Sequence, residues 1–531
     1  MAVKKKQKSV NLERAASAES VGVSSKEIQA LADDFISNGQ NIHSIMVLRH
    51  GRVACEVYRK PFNGASAHMM YSVSKSFTSA AVGFAVSEGL LSLETKFLDV
   101  FPEYRTDKKD EYLEKLNVFD LMTMQGGKEV SYFLDRTSDT WLDDFVSSRW
   151  KTEPGTTFSY ISENMYVLCA MVRRVTGEKI VDYLMPRLFE PLGIERPYWE
   201  TCPRGTAAGG WGLMLKTEDM AKFGLLYLNN GKYNGKQILP EWWIKETQKP
   251  HADNSVANKD LDGCRGYGLC FWRCGGLESA YRCDGMFSQY IIIMEEYDAV
   301  FVCTGGEINQ QPMLYTIWRH IPACFIDADE NAGGVKVTLP DYEMLPVMPR
   351  STLETQIDGK RIKLSKPVIL NVAGFPVSMV TLPAVFMEKD KAGNIDNVTL
   401  RFYENEAEMS WSEGDEFNTV HLGMDGEYRR DFIVLGQTKY ETFSHAAWLS
   451  GNELEVRVRA IETVAERRLL FTFTDGKVKV QPSCMPEAHV MLDNIKAGFK
   501  DMVKFKPVHK AADLIFPKVS DIVDSPMYGK Y

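Results

Sequence analysis

Between Tyr71 and Thr78 the chain reads YSVSKSFT, which sets three serines, Ser72, Ser74 and Ser76, around Lys75. A serine hydroxyl is a weak nucleophile until a neighbouring base takes its proton, and a lysine amine can be that base when burial lowers its pKa. Side chains three residues apart share one face of a helix, so Ser72 and Lys75 would stand one turn apart and within contact distance. The positive end of the helix would also favour developing negative charge. A capping serine followed by a surface lysine fits the same residues equally well, and S-x-x-K alone does not separate the two readings.

The surrounding pattern supplies elements that could position this pair. The apolar, alanine-rich run from Ser76 to Leu91 predicts a buried helix. Before it, SSKEIQALADDFISNG has a serine cap, apolar residues at helical spacing and a closing Gly39, and SIMVLRHGRVACEVYRK places two β-rich runs around His50 and Gly51. Residues 111 to 230 carry helical patterns, EYLEKLNVFDLMTM among them, with Gly177 and Gly193 at helix stops. From 266 to 305 strand texture returns in GYGLCFWRCGG and in SQYIIIMEEYDAVFVCTGG, followed by a helix over 313 to 321. Strands at both ends with helices between them predict an α+β domain whose antiparallel sheet joins distant parts of the chain, with a helical subdomain.

Beyond residue 326 a polar, proline-containing connection leads into runs of alternating polarity such as VTLRFYENEAEMSWSEG and ELEVRVRAIETVAERRLLFTF. The expected organisation is a flexible polar tail over 1–24, a catalytic domain over 25–327, and a mostly antiparallel β accessory domain over 328–531. The last of these ends in an extension in which HVMLDNIKAGFKDMV predicts a short helix. With 531 residues and 44% hydrophobic content, the chain is long and apolar enough for two or three cores. A net charge of -9 gives no electrostatic basis for binding nucleic acid, and the basic patch Lys4 to Lys8 is short and terminal. No apolar segment follows that patch as a secretory leader requires, and no later stretch has the ~18 apolar residues of a membrane span, so a cytoplasmic protein is expected. The ten cysteines show neither C-x-x-C zinc spacing nor a small secreted framework, which predicts reduced, unpaired thiols and no metal.

Three segments in order resemble the serine β-lactamase and penicillin-binding protein superfamily. Their pattern is most similar to the class C β-lactamase-like serine hydrolases, which include esterases, D-aminopeptidases and 6-aminohexanoate-dimer hydrolases. They are HMMYSVSKSFTSAAVGFAVSEGLL, then PGTTFSYISENMYVLCAMVRRVTG with its PLG turn, then GGWGLMLKTEDMAKFGLLYLNNGKYNGKQILP. The resemblance covers residues of about 26 to 325. It implies that Ser72 is acylated, that Lys75 activates it, and that Tyr160 is the general base or proton shuttle, its phenol pKa lowered by the adjacent lysine cation. Ser162 stands where the family pattern has asparagine and is expected to contact substrate or Lys75. The third segment is expected to be scaffold.

The fourth family element departs from pattern. Where Lys-Thr-Gly or His-x-Gly is usual, the chain has Cys283, Asp284 and Gly285, followed by Met286. Gly285 keeps the close backbone approach, and the amides of Met286 and Ser72 are expected to form an oxyanion hole. Cys283, Asp284 and Gly285 are expected to line the substrate, and no cation remains there to hold a substrate carboxylate. The implied activity is hydrolysis of a small ester or amide through an acyl-enzyme, without cofactor. The alternatives are β-lactamase, D,D-carboxypeptidase or D-aminopeptidase activity, acyl transfer, or a silent penicillin-binding-like module. His50 and His68 are expected to be structural or exposed.

Overall fold

The computed structural model describes residues 11–107, 109–128, 139–255, 257–366, 377–380, 394–436, 438–487 and 524–531. The chain divides into two compact units, Met1–Pro340 and Asp341–Tyr531.

The first unit is α+β. Helix α1 (Ser25–Ser37) starts at Ser24, whose hydroxyl accepts from the Glu27 amide, and buries Ile28, Leu31, Ala32 and Phe35. Strands β1 (Ile42–Arg49) and β2 (Arg52–Tyr58) follow as a hairpin, with His50 (φ 52°) and Gly51 (φ 75°) left-handed at its turn. The segment holding Ser72 is a 3-10 turn, Tyr71–Val73, running directly into α2 (Ser74–Ser87), which is buried from Ser74 to Ala85. Further helices are α3 (Glu163–Thr176), closed by left-handed Gly177, α4 (Thr217–Leu228) and α5 (Gln310–His320). With β3 (Trp272–Arg273), β4 (Tyr281–Gly285), β5 (Gln289–Met294) and β6 (Ala299–Gly305), the six-stranded antiparallel sheet runs β2-β1-β6-β5-β4-β3. The N-terminal hairpin therefore pairs with the last strand of the unit, which joins the two ends of the segment in one sheet.

Two cores sandwich this sheet. One holds α2, α3 and α4 against the face bearing Met46, Cys283, Ile291 and Val300. The other packs α1 and α5 against Ile45, Tyr290, Ile292 and Phe301. The strict alternation of these residues along β5 and β6 is the period-two pattern of a sheet buried on both sides.

Three expectations change. The segment from Asn11 to Ser24 is packed: the Leu12 amide donates to Glu218 Oε1 at 2.6 Å, and Arg14 pairs with Glu56 and Glu218 while bridging to Val53 beside β2. Only residues 1–10 of the expected tail lie outside the described residues. EYLEKLNVFDLMTM forms a helix only over Val118–Met122, because Asn117 and Asp120 make a capping box that starts it there. GYGLCFWRCGG contributes only the two residues of β3, since Cys270 turns left-handed at φ 68°.

The second unit carries a ten-stranded, almost wholly antiparallel sheet among the described residues. Its meanders include β7 (Ile395–Phe402), β8 (Glu406–Glu413) and β9 (Glu416–Gly423), and farther along β10 (Glu453–Ala460), β11 (Glu466–Thr474) and β12 (Lys477–Met485). The helix expected over HVMLDNIKAGFKDMV lies outside the described residues. Among the described residues, no helix is long and apolar enough to cross a membrane and no disulfide forms.

Candidate active site

The three serines of YSVSKSFT separate by their partners. Ser74 Oγ accepts from the Leu213 amide at 3.3 Å, and Ser76 Oγ donates to the Cys270 carbonyl at 2.8 Å, so both serve the packing of α2. Ser72 is half-buried at the mouth of the helix, with Lys75 Nζ 2.7 Å from its Oγ. Tyr71, just before it, is a buried aromatic residue in the left-handed region at φ 44°, an uncommon conformation for a residue with a side chain. Its ring meets Phe287 edge to face at 5.0 Å.

Lys75 is 1% exposed and has three polar neighbours: Ser72 Oγ, Ser162 Oγ at 3.0 Å and the Gly210 carbonyl at 2.8 Å. Burial pulls its pKa down to about 7, against the opposing pull of Cys270, Glu163 and Asp284. A neutral amine here has two N–H bonds for Ser162 and Gly210 and one lone pair for the Ser72 proton, which is the geometry of a general base. Ser162, immediately before α3, thus contacts Lys75, one of the two roles expected of it.

Gly210 was not among the residues singled out by sequence. The Gly209–Gly210 turn brings its carbonyl to the lysine because neither position has room for a side chain. A Cβ on Gly209, at φ 71°, would lie 2.6 Å from the Met165 carbonyl, and one on Gly210 would lie 2.8 Å from Ser162 Cβ. The segment read as scaffold therefore supplies a lysine acceptor. The paired glycines were the available signal, but a backbone acceptor has no residue type to search for.

Tyr160 lies across the site, its ring centroid 4.8 Å from Lys75 Nζ. The expected lowering of its pKa does not occur. Burial raises it well above the ordinary phenol range, with Asp284 and Cys270 adding to the rise, more than Ser72 and Trp272 lower it. Tyr160 is a proton-bearing phenol at neutral pH.

On the strand side, β4 presses against the Tyr71–Val73 turn. A Cβ on Gly285 would lie 2.4 Å from the Met70 carbonyl and 3.2 Å from Val73 Cγ2, so only glycine permits this approach. Met286, Phe287 and Ser288 form the loop to β5, with Phe287 and Ser288 left-handed at 63° and 67°. Buried Gln289 ties the loop down, donating to the carbonyls of Met286 (3.2 Å), Phe287 (2.9 Å) and Gly305 (2.8 Å). The Met286 side chain is half exposed.

Cys283 does not line a cleft. It is wholly buried in the core beneath α2, and burial pushes its thiol up to about 12, which leaves it an inert apolar filler. Strand alternation explains this: Cys283 shares a face with Gly285, and that face is covered by α2. Asp284 projects to the other face, where its carboxylate accepts from Arg282 Nε at 2.8 Å and Gln310 Nε2 at 3.0 Å, so its hydrogen-bonding oxygens are already engaged. Burial raises its pKa against the pull of Arg282. His68 is buried against His43, 3.0 Å between ring nitrogens, with its pKa lowered to about 4 by burial. His50 is exposed at the β1–β2 turn, 2.8 Å from Asp298.

Residues 33–304 match the family model described as Beta-lactamase, which is about half of the chain. The chain is 26% identical over 285 residues to a 6-aminohexanoate-dimer hydrolase of Paenarthrobacter ureafaciens, covering 49% of this chain and 71% of that protein. It is 31% identical over 131 residues to a D-aminopeptidase of Brucella anthropi, covering 24% of this chain and 25% of that one. Among solved structures, a family VIII carboxylesterase is similar at 15% identity and a TM-score of 0.48, covering 59% of this chain and 98% of that one. The chain belongs to the Beta-lactamase family and is a serine hydrolase of β-lactamase-like type.

Proposed function

We propose that the chain hydrolyses a small ester or amide through an acyl-enzyme on Ser72. The observation that carries this reading is the buried Lys75 amine, drawn to a pKa of about 7 and held 2.7 Å from Ser72 Oγ by Ser162 and Gly210. In the proposed reaction Lys75 takes the Ser72 proton as Oγ attacks the carbonyl. The backbone amides of Ser72 and Met286 stabilise the oxyanion. On collapse, the bond to the leaving group breaks, its electron pair stays with the leaving atom, and Tyr160 gives that atom a proton. Lys75 then returns a proton to the phenol, and water releases the acid by the reverse sequence.

The strand side supports the substrate class. Cys283 stands where the family pattern places a cation that holds a carboxylate, and its thiol is buried away from the site. This favours a neutral ester or amide over β-lactams and peptides with a terminal carboxylate. Intact-protein mass spectrometry after incubation with a fluorophosphonate tests the nucleophile: a single adduct on Ser72, absent in Ser72→Ala, is expected, and a folded protein that takes no acylating probe contradicts the reading. A penicillin incubated in parallel is expected to leave no stable adduct and to be turned over slowly. p-Nitrophenyl esters and aminoacyl anilides then separate esterase from amidase.

A further inference from the structure

Gln289 fixes the peptides that follow Met286 and Phe287, since its amide donates to the carbonyls of those two residues. The peptide between Gly285 and Met286, which carries the Met286 N–H, is held from elsewhere. Gln310 Nε2 donates to the Gly285 carbonyl at 3.0 Å and to Asp284 Oδ1 at 3.0 Å. Both partners are acceptors, so the amide nitrogen rather than its oxygen must face them, and both of its N–H bonds are used. The grip has firm ends. Asp284 Oδ2 accepts from Arg282 Nε at 2.8 Å, and Arg282, 3% exposed, also donates to the Arg273 carbonyl at 3.1 Å and the Asp262 carbonyl at 3.0 Å. Gln310 is half-buried and is the first residue of α5, which is anchored in the second core by Met313, Leu314 and Ile317.

In a planar trans peptide the C=O and N–H bonds point in opposite directions. Anchoring the Gly285 carbonyl to α5 therefore aims the Met286 N–H away from α5. We propose that Gln310 is a positioning residue: through the Gly285 carbonyl it fixes the peptide whose N–H, that of Met286, stabilises the oxyanion formed when Ser72 attacks. The inference rests on the proposed roles of Ser72 and of the Met286 amide. Gln310 itself touches neither substrate nor reacting atoms. Glycine at 285 makes such a hold necessary: the close Met70 carbonyl excludes any Cβ, and a residue without one leaves the following peptide freest to rotate. A donor already aimed where charge develops needs no reorientation during the reaction, so losing the hold weakens transition-state stabilisation rather than substrate binding.

The test compares p-nitrophenyl acetate with p-nitrophenyl thionoacetate, in which sulfur replaces the carbonyl oxygen. Sulfur is the larger atom and the weaker acceptor, so a preference for the oxygen ester reads the amide donors directly. Gln310→Met keeps the side-chain length and removes the N–H bonds. It is expected to lose about tenfold in kcat/KM on the oxygen ester, carried by kcat with KM within about twofold, and under about threefold on the thionoester. A reversible arylboronic acid, whose adduct on Ser72 places an oxygen where the oxyanion forms, should weaken by the same factor as kcat/KM on the oxygen ester. Equal losses on the two esters, or a loss confined to KM, would overturn the proposal and leave Gln310 a packing residue. If the methionine variant melts early, Gln310→Glu keeps the shape and cannot donate at neutral pH, and the same pattern is required of it. A wild type with no preference for oxygen would instead remove the reading of the Met286 amide, and this proposal with it.

Discussion

The two sides of the candidate site are built from different materials. On the helix side the polar groups are mostly side chains: Lys75 Nζ lies 2.7 Å from Ser72 Oγ and 3.0 Å from Ser162 Oγ, with the Gly210 carbonyl as its third partner. On the strand side, β4 offers backbone. Gly285 is there for its missing Cβ, Cys283 is sealed in the core, Asp284 is occupied by Arg282 and Gln310, and the Met286 amide is what faces the nucleophile's turn in the proposed mechanism. Under the proposed mechanism, proton transfer rests on the buried amine and phenol of one side, and substrate selection on the strand of the other.

Substitutions on the two sides should therefore differ in size. Ser72→Ala is expected to remove at least about 10⁴-fold of kcat/KM, because no other group can take the acyl chain. Lys75→Ala should follow at about 10³-fold and Tyr160→Phe at about 10²-fold, each measured on a poor leaving group. On the strand side, Gly285→Ala is expected to cost about 10- to 100-fold, since the new Cβ meets the Met70 carbonyl at 2.4 Å and must displace the Met286 amide. Cys283→Ser should leave kcat within about threefold while lowering stability by about 1 kcal/mol, because a hydroxyl is then buried in an apolar core. A large kinetic effect from Cys283 would erase the contrast between the two sides.

The lysine also leaves a signature in stability. Its folded pKa, about 7, lies below the unfolded value of 10.5, so between these pH values the unfolded chain binds the extra proton. Its contribution should make the fold more stable as pH rises through that window. The dependence of melting temperature on pH between 7 and 9 should accordingly be steeper in the wild type than in Lys75→Ala.

Much of the helix side was legible in the sequence because its signals are local. Ser72 and Lys75 sit one turn apart on a continuous apolar helix, and Tyr160 and Ser162 precede the next one. The strand side was less so. Cys283 was read as lining the substrate, and its burial depends on which face of β4 meets α2, a matter of register that residue type does not encode. Gly210 meets Lys75 through a carbonyl common to all residues. The polar N-terminal segment looked free because Leu12 and Arg14 find their partners more than 200 residues away, at Glu218.

The central claim is that a neutral Lys75 activates Ser72 at physiological pH. It is tested most directly by the rate of fluorophosphonate labelling at Ser72 as a function of pH, followed by intact-protein mass spectrometry. The account predicts a rate that rises with pH through a single midpoint near 7, as the amine loses its proton, and that falls by orders of magnitude without this midpoint in Lys75→Ala. A flat profile, a midpoint near the ordinary lysine value of 10.5, or labelling that survives Lys75→Ala would contradict it.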